Sequence, residues 1–151
     1  MQEEESIEQQ ISKAFYIEAM SDLKMVELAY ENNIYSRCIS MSQQVVEKLL
    51  KAGLAILGVY GLMYHTVSDY FIQKFNGIVD EETLNEVKIL VKPVESEWIR
   101  SRYPNWENRE KPIWIPSKHY NKDDAEKALF TAKRIHEIIK DILESKFQLE
   151  L

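Results

Sequence analysis

Residues 34–57 carry apolar side chains on two adjoining helical stripes, and no other feature of the chain restricts its fold as much. At about 100° per residue, Cys38, Met41, Val45, Leu49, Ala52 and Ile56 fall on one stripe, and Ile39, Val46, Leu50 and Leu57 on the next. Together they cover about half of a helix circumference, wider than the flank of an ordinary surface helix. Such a helix is expected at a centre, against two or more partners, or against one partner and a second copy of the chain. Its remaining face aligns Arg37, Gln44, Lys48 and Lys51, with Ser40 and Glu47 beside them, either as a solvated face or as the wall of a cleft.

The rest of the chain reads as helical too. Glycine is scarce and no segment alternates convincingly with period two, so the fold class is all-α. A first helix is predicted from Ile7 to about Tyr30, on the stripe Ile11, Phe15, Ala19, Asp22, Val26 and Ala29, which Asp22 interrupts. Asn32 and Asn33 supply the turn, because asparagine tolerates left-handed backbone. Gly58 and Gly61 close the second helix. A third helical region is predicted from Thr66 to Asn76 and, past Gly77, from Glu81 to about Ile99, with Asp80 or Thr83 as cap. Its apolar set is Leu84, Val87, Leu90, Val91, Val94 and Trp98, and Pro93 inside it predicts a kink or break. Asn121 caps a last helix that has Asp123 and Asp124 in its first turn. That helix carries Ala125, Ala128, Leu129, Ala132, Ile135, Ile139, Ile142 and Leu143 at helical spacing and ends near Phe147. Short early connections favour antiparallel neighbours, hence one domain over residues 1–151: an antiparallel up-and-down bundle of four to five helices.

Composition excludes several functions. The single cysteine, Cys38, lies on an apolar face and is expected as a small buried hydrophobe, which leaves no disulfide framework or zinc site within one chain. Asp123 and Asp124 are explained by helix capping, and no repeated Glu-x-x-His pattern points to a di-iron site, so no metal or cofactor is expected. Glu3, Glu4 and Glu5 stand where a signal peptide would be basic and then apolar, and no apolar run approaches the ~20 residues of a membrane span. A cytoplasmic location without membrane contact is therefore expected. A formal net charge of -6 argues against nonspecific binding of duplex DNA over the whole surface.

Positive charge is instead local. Between the helical patterns runs an irregular stretch, about residues 100–120, that holds Pro104, Pro112 and Pro116, three of the four prolines. From Arg100 to Lys118 five cations face only Glu107 and Glu110. Trp98, Tyr103, Trp106, Trp114 and Tyr120 interleave with them, either as stacking platforms for unpaired bases or as anchors that pin the stretch to the bundle.

Several segments, in order, resemble one known family. They are residues 19–24 of the first helix, Asn32 to Tyr35 in the turn, and Ser42, Gln43, Gln44, Glu47, Lys48, Lys51 and Ala52 of the second helix. Gly58, Val59, Tyr60 and His65 follow, and then Arg102-Tyr103-Pro104 and the run from Tyr120 to Leu129. Over roughly Ile11 to Leu143 the chain resembles the HEPN ("higher eukaryotes and prokaryotes nucleotide-binding") domain family. The resemblance implies an antiparallel helical bundle that typically dimerises, with the cleft between protomers as functional surface. Many members are metal-independent RNases of toxin or defence systems, many are encoded beside a small nucleotidyltransferase, and others serve as binding or assembly modules. The family's catalytic signature is an arginine followed, four to six residues on, by a histidine. This chain departs from it: nine residues separate Arg109 from His119, and Arg134 stands two before His136.

Arg102 aligns with the family arginine and can hold a phosphate through two parallel charge-assisted hydrogen bonds, or satisfy carbonyls at a helix end. His119 is the histidine of the basic stretch, and imidazole is a side chain suited to acid–base work near neutral pH. Arg102 and His119 are the candidate catalytic residues, and Arg100, Arg102, Tyr103, Arg37, Gln44 and Lys48 the candidate ligand-binding set. His65 and His136 are expected to be structural or exposed. The preferred expectation is a homodimer that binds RNA or a nucleotide in a cationic cleft without catalysis. A metal-independent endoribonuclease and an assembly module for a small nucleotidyltransferase are the alternatives.

Overall fold

A computed structural model of the chain describes residues 4–105 and 112–151. Helix α1 (Ile7–Glu31) starts at a capping box, in which the Ser6 hydroxyl accepts from Gln9 N and the Gln9 side chain accepts from Ser6 N. It ends at Asn32, and Asn33 takes the left-handed φ of 58° that turns the chain. Helix α2 (Tyr35–Ile56) returns antiparallel along α1. Gly58, at φ 79°, ends it as expected.

Two shorter helices follow, α3 (Ser68–Phe75) and α4 (Glu81–Glu95), parted at Gly77 with its φ of 84°. Asp80 caps α4 by accepting from Thr83 N at 2.8 Å. Helix α4 runs through Pro93 and stops at Glu95, four residues before the predicted end. The chain does not straighten there: turn bonds such as Ser101 N to Glu97 O (2.9 Å) and Tyr103 N to Ile99 O (3.0 Å) carry it on to Tyr103. Within the basic stretch Pro116 opens a one-turn helix, α5 (Pro116–His119), at the first helical position, where proline loses no bond. Thus one more helix joins the four to five expected. Helix α6 (Lys122–Phe147) begins at the Asn121–Asp124 capping box and ends at Phe147, as the sequence predicts.

Helix α2 touches all five other helices, which is what its two apolar stripes demand. Cys38, Val45, Val46, Leu49, Leu50, Ala52 and Leu54 are buried there among Phe71, Phe75, Ile135, Ile139 and Leu143. Burial pushes the Cys38 thiol up to about 11, so it is a packed hydrophobe rather than a thiolate. Asp22, the interruption in the first apolar stripe, faces Lys48 across the α1–α2 contact, where the two form a partly buried ion pair at 2.5 Å. Two further polar ties hold the layers. Ser12 Oγ donates to Ala52 O at 2.8 Å, joining α1 to α2. Tyr16 Oη lies 2.6 Å from His136 Nε2, joining α1 to α6.

Helix α3 has no cap of its own, since Val67 precedes it. The buried Glu95 at the end of α4 supplies one: Val67 N and Ser68 N donate to Oε1 at 2.9 and 2.8 Å, and Ser68 Oγ to Oε2 at 2.7 Å. This carboxylate fixes how the end of α4, and with it Trp98 and Arg102, sits against the α2–α3 connection. Among the described residues no helix is long and apolar enough to cross a membrane, and no group of three or more His, Cys, Asp or Glu could hold a metal ion.

Candidate functional site

The middle turns of α2, the connection that follows the helix, and the turns after α4 converge on one side chain. Gln43 is 1% exposed and uses its whole amide. Its Nε2 donates to Glu47 Oε2 (2.9 Å) and to the carbonyl of His65 (3.2 Å), and its Oε1 accepts from Arg102 Nη2 (2.8 Å). Both amide protons and the carbonyl are thus satisfied, and this network also fixes which way round the amide stands.

Arg102 is held on its other sides by backbone. Its Nη1 donates to Trp98 O at 2.6 Å and its Nη2 to Ser40 O at 3.3 Å, while the guanidinium carbon lies 5.1 Å from the Trp98 ring centre. Burial draws its pKa down, the Glu47 carboxylate works the other way, and Arg37 adds like-charge repulsion. The exposed Arg37 thus acts on Arg102 through charge alone, and it makes no ion pair among the described residues.

Glu47 is the buried anion of the cluster. Burial alone would raise its pKa, but the hydrogen bonds from Lys51 and Gln43 and the charges of Lys51 and His65 outweigh that and hold the carboxyl below its ordinary value. Lys51 Nζ donates to Oε1 at 2.8 Å, and His65 Nδ1 lies 3.4 Å from the same oxygen. The His65 ring stacks on Trp98, with centres 4.3 Å apart and planes at 20°. One indole thus carries an imidazole and a guanidinium. The buried Trp98 Nε1 and Ser101 Oγ have no hydrogen-bond partner among the described residues.

Residues 12–142 of the chain match the family model of the HEPN domain. The chain belongs to the HEPN family. It is 33% identical over 144 residues, 92% of each chain, to a protein of Methanocaldococcus jannaschii named as a candidate toxin, MJ1304. The HEPN fold recurs in two crystal structures. TT1696 from Thermus thermophilus superimposes with a TM-score of 0.69 at 21% identity, covering 87% of this chain and 98% of that one. ST0689, described as an archaeal HEPN homologue, gives 0.60 at 20% identity, covering 92% and 98%.

On this HEPN scaffold the residues singled out in the sequence fall into separate groups. Arg102 joins the Gln43 cluster, with Arg37 nearby and the exposed Tyr103 ring 6.5 Å from Trp98. Lys48 is paired to Asp22, and Gln44 is half-buried beside Gln43 without a share in its hydrogen bonds. Arg100 and His119 form a second group around Trp114. The Arg100 guanidinium lies 4.1 Å from the Trp114 ring centre, Trp114 Nε1 donates to Arg100 O at 2.8 Å, and the His119 ring stacks on Trp114 at 4.5 Å. His119 Nδ1 is 2.7 Å from Ile115 O. No hydrogen bond or ring contact joins His119 to Arg102 among the described residues. Trp106, with Arg109 and Lys111, lies outside the described residues.

Sequence reasoning named Gln43 and Glu47 within the second-helix segment of the family resemblance, and Glu47 beside the polar stripe, but gave neither a role at the site. A local signal existed in Gln43, Glu47 and Lys51, which repeat every four residues along one line of α2. That line meets the apolar stripe Ile39, Val46 and Leu50 at its edge, where a carboxylate needs partners.

Proposed function

We propose that this HEPN protein is the RNA-binding component of a toxin-type system. It acts as a homodimer and takes RNA, or a nucleotide with the same phosphate and base, at a cationic cleft. The observation that carries the reading is the Arg102 guanidinium 5.1 Å from the Trp98 ring centre, with the exposed Tyr103 ring 6.5 Å from Trp98, while the exposed Arg37, without an ion-pair partner among the described residues, repels Arg102 by charge. A phosphate relieves their mutual repulsion, and a base stacks on the exposed Tyr103. Gln44 and Lys48 complete the binding set drawn from the sequence, with Lys48 available to RNA only in exchange for Asp22, while Arg100 belongs to the separate group at Trp114. The toxin role rests on the candidate toxin MJ1304, similar over 92% of both chains.

A second reading, metal-independent endoribonuclease activity, draws on the same relative. In it Arg102 stabilises charge on the phosphorane, and His119 is the acid–base residue that the sequence nominates.

Fluorescence anisotropy with a labelled single-stranded RNA at low salt tests the binding. Wild type should bind, the affinity should fall steeply with salt, and Arg37→Ala should weaken it about tenfold or more. No binding at low salt overturns the reading and leaves assembly with a small nucleotidyltransferase as the role. Light scattering that shows a monomer at micromolar concentration overturns the dimer.

A further inference from the structure

Helices α4 and α6 run antiparallel: Glu97, just past α4, meets Tyr120, just before α6, and further along the pair Glu86 meets Arg134. Where the two helices part over α2 they leave a cavity of about 310 Å³. That is at the lower end of the range of small-molecule sites, about 300–1,000 Å³. None of Gln43, Glu47, His65 and Arg102 lines it, so it is distinct from the cluster at Gln43. Ile39 of α2, Val94 of α4, and Ala128 and Thr131 of α6 are buried and make its floor, while the exposed Ile89 and Lys127 stand at its mouth.

Most of this lining is hydrocarbon, and its polar groups are set apart from one another. At one end Glu97 Oε2 accepts from the Tyr120 hydroxyl, and Glu97 has no ion-pair partner among the described residues. Burial first, and the bond to Glu97 second, push the Tyr120 phenol up, so it stays a donor and Glu97 Oε1 is left over. The Trp114 ring meets Tyr120 edge-on, with centres 5.2 Å apart, and braces it. At the other end is Thr131, seven residues beyond Asp124 and hence about 10 Å further along α6. Thr131 is only 6% exposed, and its hydroxyl makes no hydrogen bond among the described residues. A buried hydroxyl without a partner is unfavourable, and this one lines an open cavity. The charges also have a sign: Glu97 and Asp124 outnumber Lys127. Asp124 already accepts from Asn121 N in the α6 capping box, which leaves Glu97 as the anchor for a cation.

We propose that this cavity binds a small organic amine with a compact apolar body and a hydroxyl at its far end. The ammonium pairs with Glu97 at Oε1, the apolar body lies among Ile39, Val94 and Ala128, and the hydroxyl bonds Thr131 Oγ1. An anion of the same shape is repelled by Glu97 and Asp124. A wholly apolar molecule strips water from Glu97 and Thr131 without replacing its hydrogen bonds. A plain diamine leaves the hydrocarbon floor uncovered.

Tyramine, which has this layout, is the probe, and two analogues each remove one polar end. Tyrosol carries a hydroxyl in place of the ammonium, and phenethylamine lacks the ring hydroxyl. Each is titrated into the isotope-labelled full chain and followed by two-dimensional NMR. Tyramine should bind with a Kd of about 1 mM or below and shift amides within residues 94–97 and 120–131. Tyrosol should bind about tenfold or more weaker, and Glu97→Gln should abolish that difference by weakening tyramine alone. Thr131→Val, close to isosteric, should weaken tyramine about threefold or more and leave phenethylamine within about twofold. A damaged fold would weaken all three molecules together, whereas loss of one polar group discriminates between them. Absence of shifts at about 10 mM tyramine, or shifts confined to other helices, overturns the proposal. So does equal binding of tyramine and tyrosol by the wild type, or tyramine binding unchanged in E97Q or in T131V.

Discussion

Arg102 and Gln43 stand 59 residues apart in the sequence and 2.8 Å apart in the fold, Nη2 to Oε1. That bond ties the turns after α4 to the central helix, and Gln43 passes the connection on to Glu47 and His65.

Removal of this link should be costly. Gln43→Leu keeps the approximate volume but strips partners from Arg102, Glu47 and the His65 carbonyl. A buried group left unsatisfied costs about 1–3 kcal/mol, so Q43L should lose about 2–3 kcal/mol in urea unfolding. An unchanged midpoint would mean that water replaces the amide.

The remote cap of α3 makes a more local prediction. Glu95→Ala takes the acceptor from Val67 N, Ser68 N and Ser68 Oγ. It should destabilise the protein by about 2–3 kcal/mol. Hydrogen exchange should quicken in Ser68–Phe75 before it does in the Lys122–Phe147 helix.

Gly53 sets two effects against each other. Alanine in place of a helical glycine gains about 1 kcal/mol from propensity. A Cβ at Gly53 would, however, lie 2.7 Å from Cε2 of Phe71, a fully buried ring stacked on Phe75 with centres 4.3 Å apart. Overpacking of that kind costs about 1–3 kcal/mol, so Gly53→Ala should come out destabilised by about 1 kcal/mol in thermal or chemical unfolding.

The pH dependence has a definite sign. Burial, with the charge of Lys140, favours neutral His136 in the folded chain, although Glu137 opposes it. The unfolded chain then binds the extra proton, so this stability is present above the ordinary pKa of 6.5 and is lost as pH falls through the lowered folded value. Glu47, also lowered, adds a loss of the same sign at more acid pH. Unfolding free energy should therefore fall from pH 7 towards 5, and His136→Gln should flatten that slope.

The helices were legible in the sequence because their causes are local. Asn33, Gly58 and Gly77 take positive φ, Asp80 and Asn121 cap, and the stripes of α2 and α6 become the core, since each depends on residues within a turn or two. The end of α4 was less legible. Pro93 marks the place, but the stop at Glu95 coincides with a carboxylate that turns to cap another helix.

Sequence by itself determined that this chain is a helical bundle of the HEPN family and which helix lies at its centre. Tertiary structure decided which polar residues meet. Gln44 lies on the polar stripe, but Gln43, about 100° around the helix, receives Arg102 and His65, whose positions depend on the α2–α3 connection and on the turns after Glu95. The local pattern gives the face of a helix. Hydrogen bonds between residues 59 and 22 positions apart form only when the packed core brings their backbones together.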